Sequence, residues 1–482
     1  MTNQDLLSIL PLIVLLAWAL TLLLVDLWVP ANRKGITALL AAFGLAVSLG
    51  LSLPQANQSL TGFGGMVMAD GFAVFMNVLV LGSGVAGVAL AYDYLKRMGI
   101  ERGEYYCLLL FAISGVMLMS YAADLIVVFL ALELLSIPLY ILAGFARPRS
   151  DSEEASLKYF LLGSFASAFV LYGVALVYGA TAHTGLRDVV AAISSGAANR
   201  PLLIAGGALL LAGFGFKVAA VPFHMWTPDV YQGAPSAVTG FMSVGAKVGG
   251  FAALLRIFII AFPSLTATLA PAAWVIAALT MIVGNVLAIS QTNIKRLLAY
   301  SSIANAGYIL MAFVSFGSPT VASDAVASAL FYLVAYALTN FAAWAVVIAL
   351  EGAEGRGLNL DDYAGMGRKY PLLSAVMLIA MLSFSGIPPT VGFWGKFYLF
   401  RTAIAGGNIG LALIGLITSV ISAFYYLRVL VMMYMRPGEP SARREPWNSL
   451  TAVVSAAGML IFSILPGALF NWASQAVMRL LS

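Results

Sequence analysis

Four ionisable side chains in this sequence lie within long apolar runs rather than in loops: Glu133, Lys217, Lys247 and Lys396. A fifth, Lys158, lies just inside one end of another apolar run. A charged side chain at the centre of a bilayer costs about 2.5–3.5 kcal/mol on insertion scales. Several such residues in one chain therefore predict a polar, partly hydrated path through a membrane-embedded bundle.

Lysine and glutamate at such positions suit proton transfer. Desolvation changes the protonation of lysine readily, whereas arginine keeps its proton, and a nearby carboxylate favours the charged lysine. We therefore predict that Glu133 modulates Lys217, that Lys247 is the next proton carrier and that Lys396 is the gate in the second half of the chain. His224 titrates near neutral pH without help, so it is a further candidate for relaying protons between Lys217 and Lys247.

Structural roles are the alternative for several of these residues. Glu133 and Lys217 could form an ion pair that fixes helix packing. Lys158 could extend to the membrane surface, and His224 could cap a helix end. Lys247 and Lys396 have no obvious local partner, so a purely structural role fits them least well.

Other charged residues are explained by their position in the chain. Lys295 and Arg296 begin a predicted helix on the inner side of the membrane, where basic residues are expected. Arg256 and Arg428 lie towards helix ends, so we interpret both as anchors near the membrane faces.

Composition determines the class of protein that must position these residues. Only 9% of the 482 residues are charged and 62% are hydrophobic, whereas a soluble chain carries about 25% charged residues. The mean hydropathy of +0.97 applies to the whole length and excludes a large soluble domain. The predicted fold class is an all-α polytopic membrane protein.

About fourteen apolar runs are each long enough to cross the roughly 30 Å hydrocarbon core as a helix. Their approximate limits are 5–27, 36–53, 69–92, 105–121, 124–145, 157–180, 203–225, 235–258, 270–290, 297–314, 323–349, 371–405, 408–434 and 448–472. Glycine and proline interrupt the seventh run near 213–228 and the twelfth near 386–395. Because proline removes a backbone donor and clashes with the preceding turn, we predict that helices seven and twelve are broken.

A faint internal repeat relates two blocks of five helices. Residues 157–161 resemble residues 329–333, and residues 255–257 resemble residues 427–429. Five is an odd number, so the second block must be inverted in the membrane, as in many secondary transporters. The predicted organisation is an N-terminal three-helix segment (1–104), a first five-helix repeat (105–258), a second, inverted repeat (270–434) and a C-terminal helix (435–482).

The loops indicate topology. Most basic loop residues, including Arg33, Lys34, Arg147 and Arg149, fall in loops that lie inside if both termini lie on the outer, periplasmic side. Basic residues confined to short loops between apolar runs do not indicate nucleic-acid binding. The expected partners include the lipid bilayer.

Residue counts also limit the cofactors. The single cysteine, Cys107, excludes a disulfide framework, a cysteine-liganded zinc site and an iron–sulfur cluster on this chain. The two histidines, His183 and His224, are not arranged to hold a pair of haems. No phosphate-binding glycine loop is present. We expect no cofactor on this chain.

Two motifs carry a resemblance to a known family. The segment VPFHMWTPDVYQGAP (residues 221–235) and the segment QTNIKRLLAYSSIANAGY (residues 291–308) resemble signatures of the antiporter-like subunits of respiratory complex I. The resemblance covers the whole chain and implies fourteen helices with inverted repeats. It also implies a proton path, and the family's path residues map onto Glu133, Lys158, Lys217, Lys247 and Lys396, with His224 nearby.

Finer features of the motifs are similar to one branch of this family. The His-Met-Trp-Thr-Pro-Asp form, together with lysine at position 396, resembles the N subunits of bacterial NADH–quinone oxidoreductases. The resemblance implies a translocase subunit in the bacterial plasma (inner) membrane, with the K and M subunits adjacent and the J subunit nearby. Flavin, iron–sulfur clusters, NADH and quinone are then expected in partner subunits.

Three alternative functions are compatible with the same set of helices. A subunit of an Mrp-type cation/proton antiporter would also move Na⁺ or K⁺, but Glu133 is the single mid-membrane carboxylate that the sequence offers for a cation. A structural membrane subunit would carry static lysines. A subunit of a membrane hydrogenase or plastoquinone complex would differ only in its electron donor.

Overall fold

The computed structural model describes residues 2–261, 263–315, 321–352 and 355–481 and is almost entirely helical. A short antiparallel pair, β1 (Leu60–Gly62) and β2 (Val67–Ala69), is the one sheet in these ranges. The helices are α1 (Asn3–Ser8), α2 (Leu10–Val25), α3 (Gly35–Ser52), α4 (Gly71–Arg97), α5 (Glu104–Tyr121), α6 (Leu125–Ala143), α7 (Ser150–Thr181), α8 (Leu186–Ser194), α9 (Arg200–Val218), α10 (Trp226–Gly233), α11 (Ser236–Arg256), α12 (Pro263–Ile289), α13 (Ile294–Ser315), α14 (Ala322–Leu350), α15 (Met366–Lys369), α16 (Pro371–Ser385), α17 (Val391–Ala405), α18 (Ile409–Met435), α19 (Pro446–Ile464) and α20 (Pro466–Leu481).

The predicted all-α membrane fold is confirmed. Among the described residues, thirteen helical segments are long and apolar enough to cross a membrane. The twelfth predicted run is the exception, because it is divided into the shorter apolar helix α16 and helix α17. The first run also differs from its predicted limits: α1 ends at Ser8 and α2 begins at Leu10, next to Pro11, which has no N–H to donate to the preceding turn.

Three helices form the centre of the bundle. Every side chain of α11 is buried, and nearly all side chains of α13 and α14 are buried as well. Peripheral helices instead expose large apolar side chains, such as Leu20 on α2, Phe165 on α7 and Val420 on α18. Polar groups on the central helices are therefore shielded from lipid, and an ionisable residue there faces protein on all sides.

Both predicted helix breaks are present. Helix α9 ends at Val218, where Ala219 adopts a left-handed conformation with φ of 62°, and α10 begins only at Trp226. Helix α16 ends at Ser385, followed by Gly386 with φ of 76°. Such left-handed residues terminate helices, and the Gly386 amide pairs with the Leu382 and Ser383 carbonyls, so the last two carbonyls of α16 are left for other partners.

Arg256 differs from its interpretation as an anchor near a membrane face. Its guanidinium is completely buried and forms two hydrogen bonds with the Asp70 carboxylate, at 2.7 and 2.8 Å. It also donates to the Ser120 carbonyl and lies over the Phe72 ring. Arg256 therefore joins the end of α11 to the start of α4. The sequence did not indicate this, because Asp70 looks like an ordinary loop residue before a helix.

Candidate functional site

Lys217 lies in the last turn of α9, immediately before the first break, and is 2% exposed. Its Nζ donates to Ser136 Oγ at 2.8 Å and to the Tyr159 hydroxyl at 3.4 Å. The rings of Tyr140 and Tyr159 lie 5.9 and 5.5 Å from the ammonium. Lys217 is thus held by neutral hydroxyls and aromatic faces.

Glu133 does not contact Lys217 directly, so the alternative of a structural ion pair is wrong for this structure. One carboxylate oxygen of Glu133 is buried without a hydrogen-bond partner. Glu133 precedes Ser136 by three residues on α6, and residues so spaced are neighbours on one helix face. Ser136, which accepts from Lys217, therefore lies on the same face of α6 as Glu133, and the Glu133 charge acts on Lys217 without a direct contact.

Lys247 lies at the middle of α11, in the centre of the bundle, and is 2% exposed. Its Nζ donates to the backbone carbonyl of Ser302 on α13 and lies 5.5 Å from the centre of the Tyr336 ring. The Tyr336 hydroxyl donates to Ser302 Oγ at 2.8 Å, and the Tyr231 hydroxyl lies 3.4 Å from the same oxygen. The central lysine thus contacts a backbone carbonyl and an aromatic ring, and two tyrosine hydroxyls meet at the side chain of the same serine.

A second polar group continues from Ser302 towards the other half of the molecule. The hydroxyls of Ser301 and Tyr426 lie 2.5 Å apart. Asn305, one turn further along α13, donates to the Ser301 carbonyl at 2.8 Å and accepts from the Tyr332 hydroxyl at 2.5 Å. Buried hydroxyl and amide groups therefore line the region between Lys247 and α18.

Lys396 lies on α17, just after the second break, and is 3% exposed. Its Nζ donates to the carbonyls of Phe384 and Ser385 at 2.9 and 3.2 Å and to Ser419 Oγ at 2.8 Å. The Tyr308 ring lies 4.6 Å away. The two carbonyls belong to the last turn of α16, where unpaired carbonyls and the helix dipole favour a cation.

Glycine permits this arrangement at two positions. A Cβ at Gly386 would lie 2.8 Å from Lys396 Cδ, and its positive φ also disfavours any other residue. A Cβ at Gly392 would lie 1.9 Å from the Ser383 carbonyl oxygen. The two half-helices approach so closely that only glycine fits between them.

His224 lies in the turn between α9 and α10 and is 7% exposed. Its Nδ1 is buried without a hydrogen-bond partner, and its side chain forms no hydrogen bond with Lys217 or Lys247. Trp226 stacks on Tyr159 beside Lys217, with the ring centres 4.5 Å apart. The relay through His224 therefore stays a prediction, and no direct contact of His224 with either lysine supports it.

Lys158 is not brought together with the buried lysines. Its side chain is 42% exposed and pairs with Glu154 and Asp229, both at 2.7 Å. Asp229 also pairs with Arg296 at 2.8 Å. Lys158 therefore lies in a network of ion pairs at the surface end of the bundle, which agrees with the alternative that it extends to the membrane surface.

The amino-acid sequence did not identify the hydroxyl partners of the lysines. The second motif contains the signal: Ser301, Ser302 and Asn305 are polar residues inside an otherwise apolar helix, and all three are buried. The aromatic partners Tyr159 and Tyr336 lie on other helices. Only their packing shows that they face the lysines.

Glu133 and Ser136 provide a first prediction, because both act on the same ammonium. Loss of a hydrogen bond to a charged group costs about 1.5–3 kcal/mol. We expect Ser136→Ala and Glu133→Gln each to lower proton transport by the assembled protein. The double variant should lose no more than the more affected single variant, since residues in one network are not additive.

The measurement is proton transport in membrane vesicles for both single variants and the double variant. Glu153→Gln, which changes an exposed carboxylate on α7 that pairs with Arg147, is the matched control and should transport normally. Losses that add fully in the double variant would show that Glu133 and Ser136 act independently.

Comparisons with known proteins agree on one family. Residues 122–422 match the family described as "NADH:quinone oxidoreductase/Mrp antiporter, TM". NADH-quinone oxidoreductase subunit N of Trichlorobacter lovleyi is 45% identical over 477 residues, covering 97% of this chain and 96% of that protein. The protein of the same name from Chloroflexus aggregans is 44% identical over 482 residues, covering 99% and 98% respectively.

Solved structures show the same fold. A chain of respiratory complex I from Thermus thermophilus is 36% identical, with a TM-score of 0.82 over 96% of this chain and 99% of that chain. A chain of the Mrp complex from a Dietzia species superposes with a TM-score of 0.88 over 100% of this chain and 98% of that one, at 20% identity. The second likeness concerns the fold alone, whereas the first includes substantial sequence identity.

Proposed function

Because this chain belongs to the family of NADH-quinone oxidoreductase subunit N, the antiporter-like membrane subunits of respiratory complex I, we propose that it translocates protons across the membrane. The proposed carriers are Lys217, Lys247 and Lys396, with Glu133 modulating the first of them. The energy comes from NADH oxidation and quinone reduction in other subunits.

One observation carries this proposal: the three lysines are buried, and no carboxylate of the described residues lies at ion-pair distance from any of them. Each ammonium instead contacts hydroxyl or carbonyl oxygens. Neutral acceptors compensate only part of the cost of burying a charge. Such a lysine exchanges its proton more readily than one held in a salt bridge, which is the property that a proton carrier needs.

The positions of the three lysines also indicate a route for the proton. Lys217 and Lys396 each lie beside a helix break, in the two halves of the chain, and Lys247 lies between them on a fully buried helix. Hydroxyl groups of Tyr231 and Tyr336 meet at Ser302, whose carbonyl accepts from the central lysine. We infer that a proton moves between the outer lysines through Lys247, with hydroxyls as intermediate donors and acceptors.

Lys158 and His224, the other two residues of the predicted proton path, are not among the three proposed carriers. Lys158 lies at the surface end, in the ion-pair network with Asp229. His224 remains a candidate relay at the first break. The equivalent positions of the two breaks support a division into repeats at 105–258 and 270–434, flanked by the segments 1–104 and 435–482.

The finer assignments of partners and cofactors are likewise proposed. We place the K and M subunits next to this chain and the J subunit nearby, with both termini on the outer side of the bacterial inner membrane. Flavin, iron–sulfur clusters, NADH and quinone belong to partner subunits, and this chain holds none of them. The Mrp-type cation/proton antiporter stays the alternative, supported by fold similarity alone.

Substitution of Lys247 tests the proposal. We expect Lys247→Gln to assemble normally and to lower proton translocation through this chain on the order of 100-fold, the contribution typical of a positioned proton-transfer group. The measurement is NADH-driven proton uptake into inverted membrane vesicles, divided by the NADH–quinone activity of the same vesicles. Lys369→Gln, which removes an exposed lysine paired with Glu439, is the matched control.

Two outcomes would overturn the proposal. Full proton uptake by an assembled Lys247→Gln protein would show that the lysine is static. Purification of the tagged chain with small antiporter subunits, and without flavin or iron–sulfur proteins, would instead favour the Mrp alternative.

A further inference from the structure

Two further buried ionisable residues lie outside the proposed path, and the mechanism above uses neither. Lys295, in the first turn of α13, and Glu351, the residue after α14, are each 2% exposed. Helix α13 begins and α14 ends at the same end of the bundle, where the loop after α14 pairs with the start of α13 through Asn293 and Asn359. A basic residue at the membrane face would be exposed, whereas the Lys295 side chain is enclosed by protein. Its position at a helix end therefore does not explain why a lysine is present.

The contacts of Lys295 parallel those of the three carriers. Its Nζ donates to the Ala234 carbonyl at 2.6 Å, at the C-terminal end of α10, where the helix dipole favours a cation. Glu351 lies within electrostatic range of Lys295. One of its carboxylate oxygens is buried without a partner. A carboxyl group can carry a proton on an oxygen that accepts no hydrogen bond, so this oxygen of Glu351 is available to hold one.

The helices that hold Lys295 also place polar groups between it and the central lysine. Lys295 and Ser302 are seven residues apart on α13, so they lie on one face about 10 Å apart. Ala234, which accepts from Lys295, follows Tyr231 by three residues, and the Tyr231 hydroxyl lies 3.4 Å from Ser302 Oγ. The Ser302 carbonyl in turn accepts from Lys247.

The other side of Lys295 leads towards the surface. A cleft of 220 Å³ is lined by Asp151, Lys158, Asp229 and Gly233, among others. Gly233 directly precedes Ala234, so the carbonyl that holds Lys295 lies behind the wall of the cleft. The Asp151 side chain is 49% exposed and pairs with Arg149 at 2.7 Å, and both charges lie within electrostatic range of Lys295.

We propose that Lys295 and Glu351 form the proton uptake site that supplies Lys247 from this end of the bundle. The Lys295 ammonium releases one proton and becomes an amine. The hydroxyls of Tyr231 and Ser302 each accept one proton and release one, water carries the proton across the gaps on either side of this pair, and the Lys247 amine becomes an ammonium. Lys295 then regains a proton from the Glu351 carboxyl group, which is reprotonated from the cleft. This inference rests on the proposed role of Lys247.

Substitution of Lys295 by arginine separates proton transfer from a structural role, because arginine keeps the positive charge and the donors but does not release a proton. In the intact complex we expect Lys295→Arg and Lys295→Gln to lower NADH-driven proton uptake into inverted vesicles as strongly as Lys247→Gln does. Glu351→Gln should lower it as well. The control is Lys369→Gln, which breaks an exposed pair with Glu439 of little energetic value.

The outcomes distinguish the two proposals. Normal proton uptake by Lys295→Arg, with loss in Lys295→Gln, would show that the residue is a structural cation and would overturn the inference. Normal uptake by all Lys295 and Glu351 variants, with loss in Lys247→Gln, would overturn it too and leave the proposed function intact. If Lys295→Gln fails to assemble on native gels, Lys295→Arg and Glu351→Gln decide the question. Normal uptake by Lys247→Gln would instead overturn the proposed function.

Discussion

Replacing Lys396 by methionine is expected to abolish proton movement through the second half of this chain while the complex still assembles. Methionine retains an unbranched side chain that can pass Gly386, but it has no group to accept or release a proton. The expected loss is on the order of 100-fold in proton translocation, as for other positioned proton-transfer groups. The measurement is proton uptake per NADH oxidised in inverted vesicles.

The contacts of Lys396 also predict what arginine does at this position. The carbonyls of Phe384 and Ser385 and the Ser419 hydroxyl can accept from a guanidinium, so Lys396→Arg should keep the helix ends together. It should nevertheless fail to transport, because arginine holds its proton. Normal transport by Lys396→Arg would mean that this position needs a positive charge and no proton exchange.

Removing Arg256 is expected to have the largest effect on stability. The Arg256→Met variant leaves the Asp70 carboxylate without its cation in a completely buried site. Breaking a buried ion pair by removing one partner costs about 3–5 kcal/mol. Because the pair joins α4 to α11, we expect a lower thermal unfolding temperature of the purified protein and a lower yield of assembled complex.

A second substitution tests the physical reason. Asp70 Oδ1 also accepts from the Ala73 amide at the start of α4, and asparagine can keep this cap. The double variant Arg256→Met/Asp70→Asn removes both charges and should recover much of the lost stability. Arg401→Met, which breaks an exposed pair with Asp324, should change stability by about 0–1 kcal/mol. An Arg256→Met protein that unfolds at the normal temperature would contradict this account.

The sequence by itself determined the fold class, the membrane-crossing segments and the two broken helices. Each depends on local composition: apolar runs of sufficient length must be helical in a bilayer, and clustered glycine and proline interrupt a helix wherever it packs. The sequence also identified the buried lysines, because a charged residue inside an apolar run cannot be assigned to a loop. The family motifs at 221–235 and 291–308 identified the relatives that the comparisons then found.

Tertiary structure alone decided which partners these residues have. Lys217 contacts Ser136 and Tyr159 rather than Glu133, and Lys158 lies in an exposed network although its place in an apolar run resembled that of the buried lysines. Arg256 and Lys295, which the sequence assigned to the membrane faces, are buried. The reason is that periodicity places a side chain on a helix face, whereas its environment depends on which distant helix packs against that face.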